Sequence, residues 1–552
     1  MKRLISALLT LALLFSLTAC GGEDPGKTPE PPKADQSQEM PPTTPEPTPT
    51  PEPAPTPDPP TTPDPPTTPE PTPTPEPVPA VVPLRIMKGP GWHGEYETDG
   101  YRDLCTASWE YLALMDDAYP ALADALWEWN TDQSVGAYSF VQEFLTGAKE
   151  TMAQSPEYFG GFTYESEYTV QRADSLVLSV REDVSSYTGG VHPNYGTVGL
   201  NFDTATGARL ELTDVLTKTD GLNKLLAEKL RGKYPSEPFA GLDELLMTYS
   251  PESYSWTLSY QGITFYFSPY EIAPYAAGLL TATIWFDEIP ELFREEYTVT
   301  PKGGYAMALP QWFEVEVDLN RGDDVRDTLS VNNWIGEYGA QYLKLLLNGQ
   351  EYLEESWCAF SMKSYLICPG DSGFYLCVEA SGENDYRTIY TYDLSSGTPR
   401  IVADYSGAGF RNVWDPNAGI DGVFYTEVFN DPVEFTLGSK CNLLGTKTAF
   451  RRYTVEADGT FLPLQDIYDL ERNPDPIVSA IPLEVTLLPQ NTVETVPAGT
   501  EFSFLRTDNE GWVDLVMKDG RECRIEIKEI DWTPTINGVP EWECFVNLMY
   551  AG

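Results

Sequence analysis

Residues 21–83 restrict the fold of this chain more than any other stretch. They carry 25 of its 49 prolines, interleaved with Thr, Glu and Asp, as in PEPTPTPEPAPTPDPP. Proline has no amide hydrogen to give to a helix or sheet, and the stretch has too few apolar side chains to build a core. We therefore expect a disordered linker that is extended at about 3.1 Å per residue in polyproline II segments. A fold is expected only in residues 84–552.

The first twenty residues have the order of a secretory signal. Lys2 and Arg3 are followed by the apolar stretch 4–17, which is shorter than the roughly 20 residues of a membrane-spanning helix. The ending Leu-Thr-Ala-Cys resembles the lipobox of bacterial lipoproteins, and that resemblance implies lipid on Cys20. Residues 1–20 are thus predicted to be a lipoprotein signal peptide. They place the protein at the cell membrane, lipid-anchored on the extracytoplasmic face. The alternative is an ordinary signal peptide with a chance cysteine.

The folded part is strongly acidic. The chain has a net charge of −49; the leader contributes +2 and the linker −9, which leaves −42 for residues 84–552. Such a surface disfavours nucleic acid as a partner, because nucleic acids select basic surfaces. It suits a basic protein partner, although an acidic surface that serves only solubility explains the charge equally well.

Cysteines and histidines are too few and too scattered to predict a metal site or a cofactor. Seven cysteines remain after Cys20, and no two of them are spaced as Cys-x-x-Cys. The spacing leaves their disulfide state open. The chain has two histidines, His93 and His192, and no Gly-x-Ser-x-Gly, His-Glu-x-x-His or phosphate-loop motif. Catalytic residues are therefore not predicted.

Residues 84–295 are predicted to form a mixed αβ domain. Leu122, Ala125, Leu126 and Trp129 recur at helical spacing, and more helix is expected through residues 139–153. Alternation over residues 163–183 predicts strands, and residues 198–216 read as strand, turn and strand. A helix follows with Asp220 as its candidate cap, and then three strand-like runs lead to a short helix near residue 290.

The rest of the chain is predicted to be β-structure, which makes the fold class α+β. Residues 296–475 contain short apolar runs broken by turn dipeptides, a pattern that fits a meander, a sandwich or propeller-like blades. Residues 476–552 contain strands of five to seven residues separated by Glu510-Gly511 and Asp519-Gly520, which favours a small SH3-like barrel.

Two motifs in the first domain resemble a known family. YTGGVHPN followed by NFDTATGARLELTDVL, and then GITFYFSPYEIAPYAAG, resemble the outer domain of RsiV-type anti-sigma factors. In those proteins the domain binds lysozyme, and it also precedes the catalytic domain of some peptidoglycan deacetylases. The resemblance covers residues of about 160–295. It does not imply sigma inhibition or deacetylation here, because the sequence shows no sigma-binding segment, membrane-spanning helix or histidine-rich metal site.

The same two motifs supply the candidate binding residues. Glycines permit sharp backbone turns, prolines stiffen the loop, and aromatic side chains on stiff loops are common contact anchors. The predicted ligand-binding set is Tyr187, Gly189, Gly190, His192, Pro193, Asn194, Tyr195, Tyr270 and Tyr275. The competing interpretation is purely structural: the tyrosine hydroxyls fasten turns to the core, and His192 binds a backbone carbonyl.

The function predicted from these features is a membrane-anchored binding module for lysozyme, another basic protein, or peptidoglycan. The alternative is an enzyme or accessory subunit acting on a wall polysaccharide, for which two carboxylates far apart in sequence would suffice. Adjacent pairs such as Glu182/Asp183 and Asp287/Glu288 carry almost no information in a chain with 84 acidic residues. A scaffold that packs against other envelope proteins is a third possibility.

Overall fold

A computed structural model describes residues 80–97, 102–115, 117–319, 325–335, 341–355, 361–370, 372–382, 386–419, 422–471 and 475–550. The predicted signal peptide, the lipidated Cys20 and most of the predicted linker lie outside these residues. The described ranges include the last residues of the predicted linker, from residue 80. Val81 is buried and the Val82 amide donates to Ser175 Oγ at 3.2 Å, so packing begins before residue 84. None of the helices in the described ranges combines the length and apolar character needed to cross a membrane.

Six α-helices occur in these ranges. They are α1 (Pro120–Gln154), α2 (Leu212–Val215), α3 (Leu222–Lys233), α4 (Leu242–Leu246), α5 (Glu295–Thr298) and α6 (Glu541–Cys544). Short 3-10 turns occur at Pro251–Ser253, Tyr275–Ala277 and Pro290–Leu292.

Strands make up most of the fold. The strands of the N-terminal half are β1 (Ile86–Tyr96), β2 (Asp103–Leu114), β3 (Phe162–Ala173), β4 (Val177–Tyr187), β5 (Asn194–Asp203), β6 (Ser255–Leu258), β7 (Gly262–Phe267), β8 (Leu280–Trp285), β9 (Tyr305–Leu309), β10 (Val315–Val317), β11 (Asp327–Ile335), β12 (Gln341–Leu347), β13 (Gln350–Glu355), β14 (Ser361–Cys368), β15 (Tyr375–Ser381) and β16 (Arg387–Asp393). Those of the C-terminal half are β17 (Arg400–Ser406), β18 (Ala408–Phe410), β19 (Asn412–Asp415), β20 (Val423–Glu427), β21 (Phe435–Cys441), β22 (Lys447–Val455), β23 (Phe461–Pro463), β24 (Tyr468–Leu470), β25 (Ile477–Val478), β26 (Leu483–Leu487), β27 (Thr492–Val496), β28 (Glu501–Thr507), β29 (Trp512–Met517), β30 (Glu522–Glu526), β31 (Lys528–Ile530), β32 (Thr533–Ile536) and β33 (Val539–Pro540).

A seven-stranded sheet organises the N-terminal part. Its order is β19-β20-β1-β2-β3-β4-β5, and β2 and β3 run parallel because α1 carries the chain between them. The helix buries Leu122, Leu126, Ala137 and Val141, which confirms the predicted helical stripe. Strand β5 forms one edge of the sheet, and β4 and β5 are the hairpin whose loop holds His192.

A second sheet, β6-β7-β8, packs against β5 and is covered by α3 and α4. Its apolar core includes Leu226, Leu230, Phe265 and Ile284. The loop from β7 to β8 holds Tyr270 and Tyr275, so both predicted binding loops belong to neighbouring sheets.

Two local predictions in this part are wrong. Residues 208–216 form one bridge and the short helix α2 rather than a strand, because Asp214 accepts a hydrogen bond from the Glu211 amide and starts a helical turn. Gly221 precedes α3 with a φ of 84°, and Asp220 makes no side-chain cap. A left-handed backbone at that position suits glycine.

The C-terminal part is β-structure, as predicted. Strands β14 to β17 form consecutive antiparallel pairs in a five-stranded sheet, β17-β16-β15-β14-β9, so this part of the β-rich stretch is a meander. A four-stranded sheet, β10-β11-β12-β13, packs nearby through a shared apolar core. The fold class is thus α+β with a large excess of strands.

The predicted SH3-like barrel is not confirmed. The strands of residues 476–552 form a closed barrel nowhere in the described ranges. Instead β25 to β30 belong to an eleven-stranded sheet that also takes in β18 and β21 to β24. The joining contact is β24 against β28, with Tyr468 opposite Thr507. A further small sheet, β31-β32-β33, precedes α6.

The predicted segments 84–295, 296–475 and 476–552 share sheets. Strands β19 and β20 come from the second segment and extend the seven-stranded sheet of the first. One apolar core joins residues of both segments, including Ile86, Leu200, Phe410 and Phe435. The division of residues 84–552 into three domains stays a prediction.

Candidate functional site

The two predicted binding loops meet at the surface and form one aromatic cluster. We use this name for His192, Tyr195, Tyr270 and Tyr275. The rings of His192 and Tyr275 are stacked with centroids 3.7 Å apart. Tyr195 and Tyr270 each lie 5.6 Å from Tyr275, the first edge-on and the second tilted. Tyr275 is therefore the centre of the cluster, and it joins residues more than 70 positions apart in sequence.

Hydrogen bonds hold the two loops together. The Tyr275 hydroxyl donates to the Pro193 carbonyl at 2.8 Å. His192 Nδ1 lies 3.0 Å from the same oxygen, so it is the nitrogen that carries a proton in this geometry. Partial desolvation beside Tyr195 and Tyr270 raises the pKa of the Tyr275 hydroxyl, which stays protonated and able to donate.

Glycines shape the first loop as predicted. Gly189 and Gly190 have φ values of 91° and 107°, which side chains rarely adopt. The Tyr187 hydroxyl donates to the Gly190 carbonyl at 3.1 Å and closes the turn. Tyr187 therefore stabilises the loop through its hydroxyl and is not part of the aromatic cluster. Asn194 begins β5 at the exposed base of the loop.

The second loop is anchored by a half-buried carboxylate. Glu271 accepts hydrogen bonds from the Ser268 amide at 2.8 Å and from the Tyr249 hydroxyl at 3.0 Å. Ser268 Oγ in turn accepts from the Thr197 amide of β5 at 3.2 Å. Burial raises the pKa of Glu271. The loop is thus tied both to its own sheet and to the neighbouring one.

Tyr270 has the backbone of a strained residue. Its φ is 70°, and its side chain is 66% exposed. A bulky residue in the left-handed region costs about 1–3 kcal/mol, and such outliers concentrate at functional sites. In this conformation the Tyr270 ring lies exposed to solvent.

The structure contains features expected from both the binding and the structural interpretation of these loops. The hydrogen bonds of the structural interpretation exist at Tyr187, His192 and Tyr275. The rings themselves are not in a core: they lie at the surface beside Val191, which is 97% exposed. Val191 and Glu271 are site residues that the sequence pattern does not single out, since an apolar residue and an acid carry little information in a loop.

The first of the adjacent carboxylate pairs is divided between the two faces of the sheet. Glu182 and Asp183 are neighbours on β4 and point to opposite faces of the sheet. Glu182 is buried, accepts from Ser166 Oγ at 2.8 Å, and burial raises its pKa to about 7. Asp183 accepts from Arg181 at 2.8 Å and from Thr197 at 2.5 Å on the other face.

The second candidate pair is engaged in ion pairs. Asp287 lies 2.6 Å from Arg326, and Glu288 lies 2.6 Å from Lys229. Within the described residues, no three His, Cys, Asp or Glu side chains are placed to hold a metal ion. The six described cysteines are buried, no disulfide joins two of them, and Cys358 lies outside the described ranges.

Residues 214–287 match the model of a family described as "Protein of unknown function (DUF3298)". The match contains Tyr270 and Tyr275 and begins after His192. Two solved structures of DUF3298 family proteins are similar to part of the chain. One from Bacteroides fragilis is 19% identical, with a TM-score of 0.32, and one from Pseudomonas aeruginosa is 16% identical, with a TM-score of 0.29. Each similarity covers 39% of this chain and 96% of the other. No curated protein matches the chain.

Proposed function

We propose that the protein is an extracytoplasmic lipoprotein whose aromatic cluster binds a lysozyme-like protein or a cell-wall ligand. The observation that carries the proposal is the stack of His192 on Tyr275, which is half-buried at the surface and fixed from two loops. Rigid aromatic groups contribute contact area at little entropic cost, and they are common anchors of binding surfaces.

Two further features favour a basic protein as the ligand. The motifs around the aromatic cluster resemble those of the RsiV-type outer domain, which binds lysozyme. The net charge of −42 over residues 84–552 attracts a cationic partner and raises its rate of association by roughly 10–10³-fold. Lipid on Cys20 and the long linker place this surface outside the cell and away from the membrane.

Titration with hen egg-white lysozyme tests the proposal. We expect binding whose association rate falls as salt rises, because exposed charges more than about 10 Å apart are screened at 0.1 M salt. Tyr275→Ala removes the central ring of the cluster and is expected to weaken binding at least about tenfold. Stopped-flow mixing at low and high salt measures the association rate, and calorimetry measures the affinity.

Tyr158→Ala is the matched control. Tyr158 is 89% exposed, lies just after α1, and makes no ring contact with the aromatic cluster. This variant is expected to bind as the unmodified protein does. Equal weakening by both substitutions contradicts a role for the aromatic cluster, and an absence of binding at either salt concentration excludes lysozyme as the ligand.

A further inference from the structure

A cavity of about 700 Å³ lies at the opposite edge of the seven-stranded sheet from the aromatic cluster. Its walls come from the end of β1, from β19, and from β21, β22 and β24 of the eleven-stranded sheet. We call it the arginine pocket, after Arg85, Arg411 and Arg452 in its lining. Its volume falls within the roughly 300–1,000 Å³ typical of small-molecule sites.

The lining of the arginine pocket is less acidic than the rest of the chain. Its lining holds three arginines against two acids, Asp469 and Glu471. The whole chain has 35 basic and 84 acidic side chains. A local excess of guanidinium groups on so acidic a protein indicates a place for a bound anion.

Arg411 is the lining arginine whose guanidinium makes no hydrogen bond among the described residues; its charge interacts with Glu427, whose Oε2 is buried without a donor. Arg85 donates to Glu427 at 3.3 Å, and Arg452 donates to Glu434 at 3.2 Å. The guanidinium of Arg411 packs 5.4 Å from the ring of Phe450, and its Nε is buried without an acceptor among the described residues. Buried donors without acceptors are costly and rare. Because Arg411 also lines the pocket, its guanidinium can take an acceptor from a ligand bound there.

The rim of the pocket favours a hydroxylated ring. Trp414 is 44% exposed and offers an aromatic face to a ligand in the pocket. Asp469 and Glu471 are exposed carboxylates that accept hydrogen bonds from hydroxyl groups. The same two carboxylates repel a ligand of high negative charge, which disfavours phosphates and favours a single carboxylate.

We propose that the arginine pocket binds a small sugar acid, with its carboxylate on Arg411, its ring against Trp414 and its hydroxyls toward Asp469 and Glu471. Two sources share this chemistry, the muramic acid of peptidoglycan and the uronic acids of other polysaccharides. The site is separate from the aromatic cluster, so this proposal does not depend on the proposed function.

Calorimetric titration with four probes tests it. N-acetylmuramic acid is compared with N-acetylglucosamine, and glucuronic acid with glucose, because each pair differs in the carboxylate. At least one acid is expected to bind at least about tenfold more tightly than its neutral partner. The stronger of the two acids identifies the source. If neither acid binds at about 10 mM, or if the acids and neutral sugars bind alike, the proposal is overturned.

Arg411→Gln locates the binding. This variant keeps a polar side chain of similar length without the charge, and it is expected to lose about tenfold or more of the affinity for the acid. Arg400→Gln removes one charge from an exposed pair with Asp393 on another sheet, and it is expected to bind normally. Circular dichroism confirms that both variants are folded. Equal affinity of the folded Arg411→Gln variant and the unmodified protein overturns the assignment.

Discussion

Replacing Arg172 by alanine is expected to lower the free energy of unfolding by about 3–5 kcal/mol. Arg172 and Asp174 form a fully buried ion pair at 2.7 Å. Arg172 also donates to the carbonyls of Tyr297 and Val299, and its guanidinium lies 5.0 Å from the ring of Tyr260. Alanine leaves the Asp174 carboxylate buried without a cation. It also leaves the carbonyls of Tyr297 and Val299 without their donor.

Arg400→Ala is the control for the loss of an ion pair alone. Arg400 lies 3.0 Å from Asp393, but its side chain is exposed. An exposed pair of this kind contributes about 0–1 kcal/mol. Urea denaturation of both variants measures the difference. Similar losses for the two variants contradict the view that burial makes the Arg172–Asp174 pair important.

Gly199→Ala is expected to cost at least about 3 kcal/mol and to disturb the aromatic cluster. A Cβ atom at this position of β5 lies 1.7 Å from the Trp256 carbonyl oxygen and 2.3 Å from its carbon. Backbone atoms of β6 cannot move aside as a flexible side chain does. The two sheets must separate, at the expense of the hydrogen bond from Asn201 to the Trp256 carbonyl and that from the Gly199 amide to Ser255.

The same substitution at Gly136 is the matched control. Gly136 lies in α1, and a Cβ atom there meets nothing within 4 Å. Alanine in an exposed helix interior is expected to stabilise the protein by roughly 0.5–1 kcal/mol. Thermal unfolding of the two variants measures whether Gly199→Ala lowers the stability and Gly136→Ala raises it. If Gly199→Ala is neutral, the close docking of β6 on β5 is not what positions the two loops.

Elements with a strong local pattern could be predicted from the sequence. The helical spacing of Leu122, Leu126 and Trp129 predicts α1, and the alternation after residue 163 predicts β3 and β4. These patterns suffice because each element buries one face, and that face repeats in the sequence. The short helix α2 could not be predicted, since a single capping interaction at Asp214 decides it.

Pairings over long distances could not be predicted. The turn residues in 476–552 indicate the strands correctly, but β28 also pairs with β24 in the preceding segment. Nothing in the local sequence specifies that partner, so the expectation of a closed barrel fails. The extension of the seven-stranded sheet by β19 and β20 could not be predicted from the sequence for the same reason.

The candidate site was predicted in its residues and not in its geometry. Glycine, proline and aromatic residues indicate two stiff loops, at His192 and at Tyr275. Their meeting depends on the docking of β6 to β8 against β5, which rests on Gly199 and Ser268. The arginine pocket lacks any sequence pattern, because Arg85 and Arg411 are more than 300 positions apart and single arginines carry little information.

Histidine NMR is the most direct test of the central claim that the aromatic cluster binds the ligand. The chain has two histidines, so selective ¹³C labelling of histidine gives two ring signals in an otherwise silent background. His93 lies on β1, with its ring 4.1 Å from that of Tyr138, and serves as an internal reference. Addition of unlabelled lysozyme is expected to shift or broaden the His192 signal and to leave His93 unchanged. Binding detected by calorimetry with no change at His192 would contradict the account.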